Sequence, residues 1–281
     1  MSKKIKIAIL DMNDNKPNQG LKGIKEICEE FKNKSEQEIS ISVFDVRYKC
    51  ELPKIKNYDI YISSGGPGSP HPEGKAWEEQ YYNLLDDIWN HNLKNEQKKY
   101  LFLICHSFQI AVIHWKLAEV NMRKSYSFGV MPIHKTDAGM KEFLFINLPN
   151  PFYATDSRAF QCVQPDEKQF KKMKAKILAL EKIRPHVDLE RAIMCIRFSK
   201  EIFGTQFHPE ASRAGLLQSL KSKKYRESLI QDFGMGKFLQ TLDRVEDDDK
   251  IVLTRAQFLP RFLKQSVNKI LKQQKSDSVK V

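Results

Sequence analysis

A cysteine and a histidine stand side by side in LFLICHSFQIA, residues 101–111, where an apolar run changes its period. Tyr100 to Ile104 is aromatic and β-branched enough for a buried strand, and Phe108, Ile110 to Ile113 and Trp115 continue at helical spacing. Cys105 therefore falls at a strand-to-helix junction, where a nucleophile on a sharp turn would face the first amides of a helix. A free cysteine also serves as a small buried apolar side chain, and this stretch alone does not separate the two readings.

A cysteine nucleophile reacts as the thiolate, so it needs a base beside it, and the base needs an orienting group. GTQFHPE, residues 204–210, contains both. His208 and Glu210 are two apart, so in an extended segment they point to the same side, and Pro209 restricts the backbone between them. One imidazole nitrogen would then face Cys105 while the other donates to the Glu210 carboxylate, the logic of a nucleophile-base-orienter triad. A third segment, ISSGGPGSP at 62–70, exposes backbone amides without side-chain obstruction. Alone it reads as a turn or a weak phosphate loop. Beside the other two segments it reads as an oxyanion hole, with the helix-start amide of His106 as second donor.

The elements that must position these residues alternate through the first half of the chain. Lys4 to Leu10, Ile39 to Val46, Tyr58 to Ser63 and Tyr100 to Ile104 read as strands; Gly20 to Phe31 and Glu73 to Asn92 read as helices. This rhythm predicts a doubly wound parallel sheet with helices on both faces. Ligands collect at the carboxyl ends of such strands, which here are Asp11 to Asn15, Ser64 to Pro70 and Cys105 to Gln109. Ser125 to Gln206 reads as mostly antiparallel strands of the same domain, and Ala211 to Ile230 as one helix with a basic polar face.

Beyond Asp232 the composition changes, which predicts a domain over 1–232 and a basic helical extension over 233–281. In the extension Leu259, Phe262, Leu263, Val267, Ile270 and Leu271 recur on one helical face, with Pro260 expected near the helix start. That face either packs on its own domain or serves a membrane surface or partner. Ser276 to Val281 is expected to fray.

The 281 residues are 41% hydrophobic and 29% charged, the composition of a globular protein with a substantial core. A net charge of +12 invites nucleic acid as a partner. The lysines are mixed with acids along the whole chain, however, which fits solvated helical faces instead. No zinc finger, RNA-binding signature or GxxxxGKS loop is present. The five cysteines are scattered and form no CxxC pair, so neither a disulfide framework nor a zinc site is indicated. The apolar run in MSKKIKIAILDMND is too short for a signal peptide or a membrane span, and a cytoplasmic location is expected.

With SGGPGSP, LICHSFQ and GTQFHPE in this order, the chain resembles the class I (triad) glutamine amidotransferases over roughly Lys4 to Ile230. The first and third motifs match the family almost letter for letter. In the second, the family usually has GxCxGxQ, so Leu103 and Ser107 stand where glycines let the elbow turn tightly. The resemblance implies a flavodoxin-like α/β fold, doubly wound and mostly parallel. It implies Cys105 as nucleophile, His208 as general base and acid, and Glu210 as orienter. Gly66 and the backbone of His106 would form the oxyanion hole, and Gln109 and Gly65 would contact the substrate. The implied reaction is attack on the glutamine γ-carboxamide, loss of ammonia and hydrolysis of a γ-glutamyl thioester, with no metal or organic cofactor. The motifs are similar to those of the glutaminase half of GMP synthase, yet no synthetase half follows. Either a separate synthetase receives the ammonia, or the protein hydrolyses glutamine or another γ-glutamyl compound alone. Two further readings stand beside these. The intracellular peptidases and deglycases use a histidine next to the elbow cysteine, which would give His106 a catalytic role. A degenerate amidotransferase fold would serve only for binding.

Overall fold

The computed structural model describes residues 4–16, 18–185 and 190–279, with side chains through 274. The chain forms β1 (Ile5–Asp11), α1 (Gln19–Lys34), β2 (Ile39–Asp45), β3 (Ile60–Ser63), α2 (Ala76–Lys94), β4 (Tyr100–Ile104) and α3 (His106–His114). There follow β5 (Ala118–Lys135), α4 (Asp137–Met140), β6 (Phe152–Pro165), α5 (Glu167–Met173), β7 (Lys176–Leu180), β8 (Ile193–Arg197) and β9 (Ile202–Thr205). Four helices, α6 (Arg213–Lys221), α7 (Lys223–Phe233), α8 (Met235–Glu246) and α9 (Ile251–Val279), complete it.

One sheet runs in the order β2-β1-β3-β4-β9-β8-β7-β5-β6. From β2 to β9 neighbouring strands are parallel, and from β9 to β6 they are antiparallel. The doubly wound half predicted from the strand-helix rhythm is therefore present, extended by the antiparallel strands read in the second half. The central strands are apolar on both sides because both faces are covered. Ile5, Ile7 and Ile9 of β1 and Tyr100, Phe102 and Ile104 of β4 share a cluster with Ile24 and Ile27 of α1 and with Phe258, Leu259, Phe262 and Leu263 of α9. The alternate residues Ala8, Leu10, Leu101 and Leu103 pack with Trp77, Tyr81 and Leu85 of α2 and with Phe108 and Ile110 of α3.

The apolar face of α9 is thus buried on the sheet beside α1. Truncating one of its rings should be felt globally: Phe262→Ala is expected to cost about 3–5 kcal/mol, read as a lower urea midpoint. Pro260 lies in the interior of α9 and not near its start, because the helix already begins at Ile251. The missing N–H leaves the Ala256 carbonyl without its helical partner. The helix continues through the residues expected to fray as far as Val279, whereas 280–281 lie outside the described residues. The single helix expected over 211–230 is two, divided at Ser222 in extended backbone with φ −66° and ψ 122°. Ser222 ends α6, and its carbonyl accepts the Arg226 amide of α7 at 2.9 Å. Leu220 and Leu229 still reach one cluster with Val130, Phe238 and Val245. No helix among the described residues is long and apolar enough to cross a membrane.

Candidate active site

The carboxyl ends of β1, β3, β4 and β9 converge on a cleft of about 440 Å³ that contains Cys105, His208, Glu210, Gly65 and Gly66. Cys105 sits between β4 and α3 with φ 50° and ψ −101°, a left-handed conformation that a non-glycine residue adopts only under strain. Its backbone is pinned on both sides: its N–H donates to the Thr205 carbonyl at 2.7 Å, and its carbonyl accepts from Gln109 at 2.9 Å.

The two residues that replace the usual elbow glycines are both accommodated. Leu103 is fully buried and pairs in register with Gly204 on β9. A Cβ at Gly204 would lie 3.4 Å from the Leu103 Cβ and 2.7 Å from the Phe108 ring, so the glycine opposite makes the room. The Ser107 hydroxyl accepts from the Ile104 N–H at 2.9 Å and lies 3.0 Å from the Ile104 and Ser63 carbonyls, one of which takes its proton. The serine thereby ties the elbow to the end of β3.

His208 follows β9 and is held from β6, where its N–H donates to the Thr155 carbonyl at 2.8 Å. Its Nδ1 meets the Glu210 Oε1 at 2.8 Å, and Glu210 is buried. Burial opposes the imidazolium, but the charges of Glu210 and Cys105 and their hydrogen bonds outweigh it and hold the imidazole well above its ordinary pKa. A Cβ at Gly65 would fall 2.8 Å from His208 Cε1 and 3.5 Å from Cys105 Cβ, so cysteine and histidine abut the same glycine. At Gly66 a Cβ would press to 2.2 Å from the Met12 carbonyl. Any side chain at either position would displace the parts of the site.

The side chains of two expected site residues, Gln109 and His106, do not line the cleft. The Gln109 side chain is buried behind the elbow, where its Nε2 donates to Gln206 Oε1 at 3.0 Å and to the Phe160 carbonyl at 3.4 Å. It does not line the cleft. Gln206 in turn donates its Nε2 to Cys105 Sγ at 3.6 Å, so Gln109 reaches the sulfur through a second amide. The His106 ring is 1% exposed and its Nε2 has no partner among the described residues. Burial first, then Arg47 and Lys75, push its pKa down to about 3, so the ring is neutral. The His106 N–H, in the first turn of α3, has no acceptor within the helix.

Several contributors carry no signal in the motifs. Arg47 donates to the Met12 carbonyl at 3.2 Å and the Pro67 carbonyl at 2.5 Å, clamping the glycine loop to the end of β1. Tyr126 and Ser157, hydrogen-bonded at 2.9 Å, line the cleft from β5 and β6. Arg255 of α9 donates to the Glu210 carbonyl and pairs with Glu26 of α1 at 3.0 Å.

Residues 31–220 match the family model described as glutamine amidotransferase class-I. The chain belongs to this family. No curated protein matches this amidotransferase in sequence. Its fold is similar to that of a glutamine amidotransferase from Thermotoga maritima, with 15% identity, 94% of this chain and 98% of the other covered, and a TM-score of 0.69. A glutamine amidotransferase from Methylobacillus flagellatus is similar at 12% identity, over 95% and 94% of the two chains, with a TM-score of 0.59. The glutaminase domain of Trypanosoma brucei CTPS, with bound acivicin, is similar at 13% identity over 90% and 94%, with a TM-score of 0.53. At these identities the likeness concerns the fold.

Proposed function

We propose that this class I amidotransferase hydrolyses the side-chain amide of glutamine through a γ-glutamyl thioester on Cys105 and releases ammonia for a separate acceptor enzyme. The observation that carries the reading is the strained Cys105 elbow facing the His208–Glu210 pair across Gly65. The Cys105 thiolate attacks the γ-carbonyl carbon, and the oxyanion is received by the Gly66 and His106 N–H groups. His208, kept protonated by Glu210, gives its proton to the departing ammonia. The neutral imidazole then takes a proton from water, the hydroxide displaces the thiolate, and glutamate leaves.

The buried, neutral His106 ring supports His208 over His106 as the proton carrier. The complete set of Cys105, His208 and Glu210 supports an enzyme over a binding module, which has no chemical use for it. Tyr126, Phe128, Leu216 and Tyr225 form an apolar wall of the cleft. That wall favours, as a second reading, a γ-glutamyl amide larger than glutamine.

Intact-protein mass spectrometry after exposure to acivicin or diazo-oxonorleucine tests the chemistry. A single adduct on Cys105, blocked by excess glutamine, is expected; labelling at another cysteine, or none when glutamine is turned over, would overturn the assignment. Arg255 supplies a second test, because it fixes the backbone of Glu210 from α9. Arg255→Met is expected to lower kcat about 10- to 100-fold with a smaller change in KM, measured by steady-state ammonia release.

A further inference from the structure

Beside the Cys105 cleft, and sharing Tyr126 and Phe128 with it, lies a second cavity of about 440 Å³. Arg123, Lys182, Arg184 and Lys237 line it, against the carboxylates of Asp156, Glu181 and Asp232. Two of these carboxylates are already engaged. The fully buried Arg158 donates to the Asp156 oxygens at 3.0 and 3.1 Å and to Glu181 at 3.2 Å. Ser127 also donates to Asp156 at 2.6 Å, and Arg123 and Arg184 hold Glu181 at 3.1 and 3.0 Å. Asp232 lies at the exposed rim and accepts from Ser228 at 3.3 Å.

Lys182 and Lys237 therefore have no carboxylate in ion-pair contact among the described residues. The Lys237 ammonium is 3.6 Å from the Met131 sulfur and 3.2 Å from Gln240 Oε1. Partial burial, then Lys182 and Arg244, draw its pKa down to about 8, with Asp156 acting the other way. Arg184 adds a buried Nε that has no acceptor among the described residues. Holding cations together in a half-closed cavity is unfavourable unless an anion completes the set.

We propose that the second cavity binds a small anionic group, carboxylate or phosphate, between Lys182 and Lys237. Both groups accept charge-assisted hydrogen bonds from ammonium and guanidinium donors. Because Tyr126 and Phe128 belong to both cavities, an occupant also bears on the wall of the cleft. The site is independent of the glutaminase reading, since none of its cations touches Cys105, His208 or Glu210.

Titration calorimetry of the full chain with inorganic phosphate and, separately, with succinate tests it. At least one probe is expected to bind at one site per chain, and the preferred probe assigns the phosphate or carboxylate source. The double variant Lys182→Met, Lys237→Met should bind about 100-fold more weakly, about tenfold per lysine, and the double variant Lys182→Arg, Lys237→Arg should retain binding. Should the methionine variant melt below the assay temperature, Lys237→Gln alone must lose about tenfold. Cys105→Ala should bind as the wild type does, which separates this site from the fate of the catalytic reading. No heat from either probe, or equal affinity after loss of both lysines, would overturn the proposal.

Discussion

Cys105→Ala is expected to reduce ammonia release from glutamine by about 10⁴-fold or more while the melting temperature barely moves. The reaction loses its only attacking atom, whereas the fold loses one sulfur from a residue that is 6% exposed. Alanine keeps the Cβ, so it inherits the positive φ and the strain that goes with it. Cys105→Gly removes that Cβ and is expected to be equally inactive yet more stable than the alanine variant by about 1–3 kcal/mol. Ammonia assays and thermal melts of the two variants read the two effects separately. A glycine variant no more stable than the alanine variant would mean that the elbow stores no strain, and residual turnover near the wild-type rate would remove Cys105 from the chemistry.

Glu210→Gln is expected to lower kcat by about 10²- to 10⁴-fold and to move the alkaline limb of its pH profile to lower pH. The sign follows from the forces on His208. Burial works against the imidazolium, and Glu210 is the first of the groups that overcome it. Without that charge the imidazole loses its proton at a lower pH, and the acid that serves the leaving ammonia is depleted sooner. The same linkage acts on stability. A folded pKa raised above the unfolded value of about 6.5 stabilises the protein fully below that value, and the gain disappears as pH rises through the folded pKa. The variant should therefore lose the most stability, relative to wild type, below about pH 6.5, and little at strongly alkaline pH. An unshifted alkaline limb would show that Glu210 does not govern His208.

Legibility in the sequence followed the range of the interaction. The β1 and β4 runs declare strands buried on two faces because alternate residues of each are apolar, and the sheet uses both sets. Cys105, His208 and Glu210 were readable because a junction or a spacing of two places each side chain locally. Gln109 was misplaced by the same motif logic. Its position on α3 is as expected, but its amide is drawn inward by Gln206, a partner 97 residues away that no local pattern signals. The exchange of glycine from the nucleophile strand to Gly204 becomes visible only once the register Leu103↔Gly204 is known. Arg47 and Arg255 act on backbone carbonyls, which have no sequence signature at all. The break at Ser222 was hidden because Leu220 and Leu229 keep facing one cluster on either side of it.

The bond from Arg255 to the Glu210 backbone has a consequence for the order in which the protein is made. The helix that bears Arg255 begins about forty residues after Glu210, so a ribosome delivers Cys105, His208 and Glu210 before the segment that steadies the Glu210 backbone. All nine strands among the described residues are synthesised before α9 is available to cover Ile5, Phe102 and Phe203. A nascent chain with a paired sheet would thus hold every group of the proposed triad and is expected to turn over slowly. Because α9 both covers that face of the sheet and bonds the Glu210 backbone, completion of the core and onset of the proposed turnover are expected to coincide.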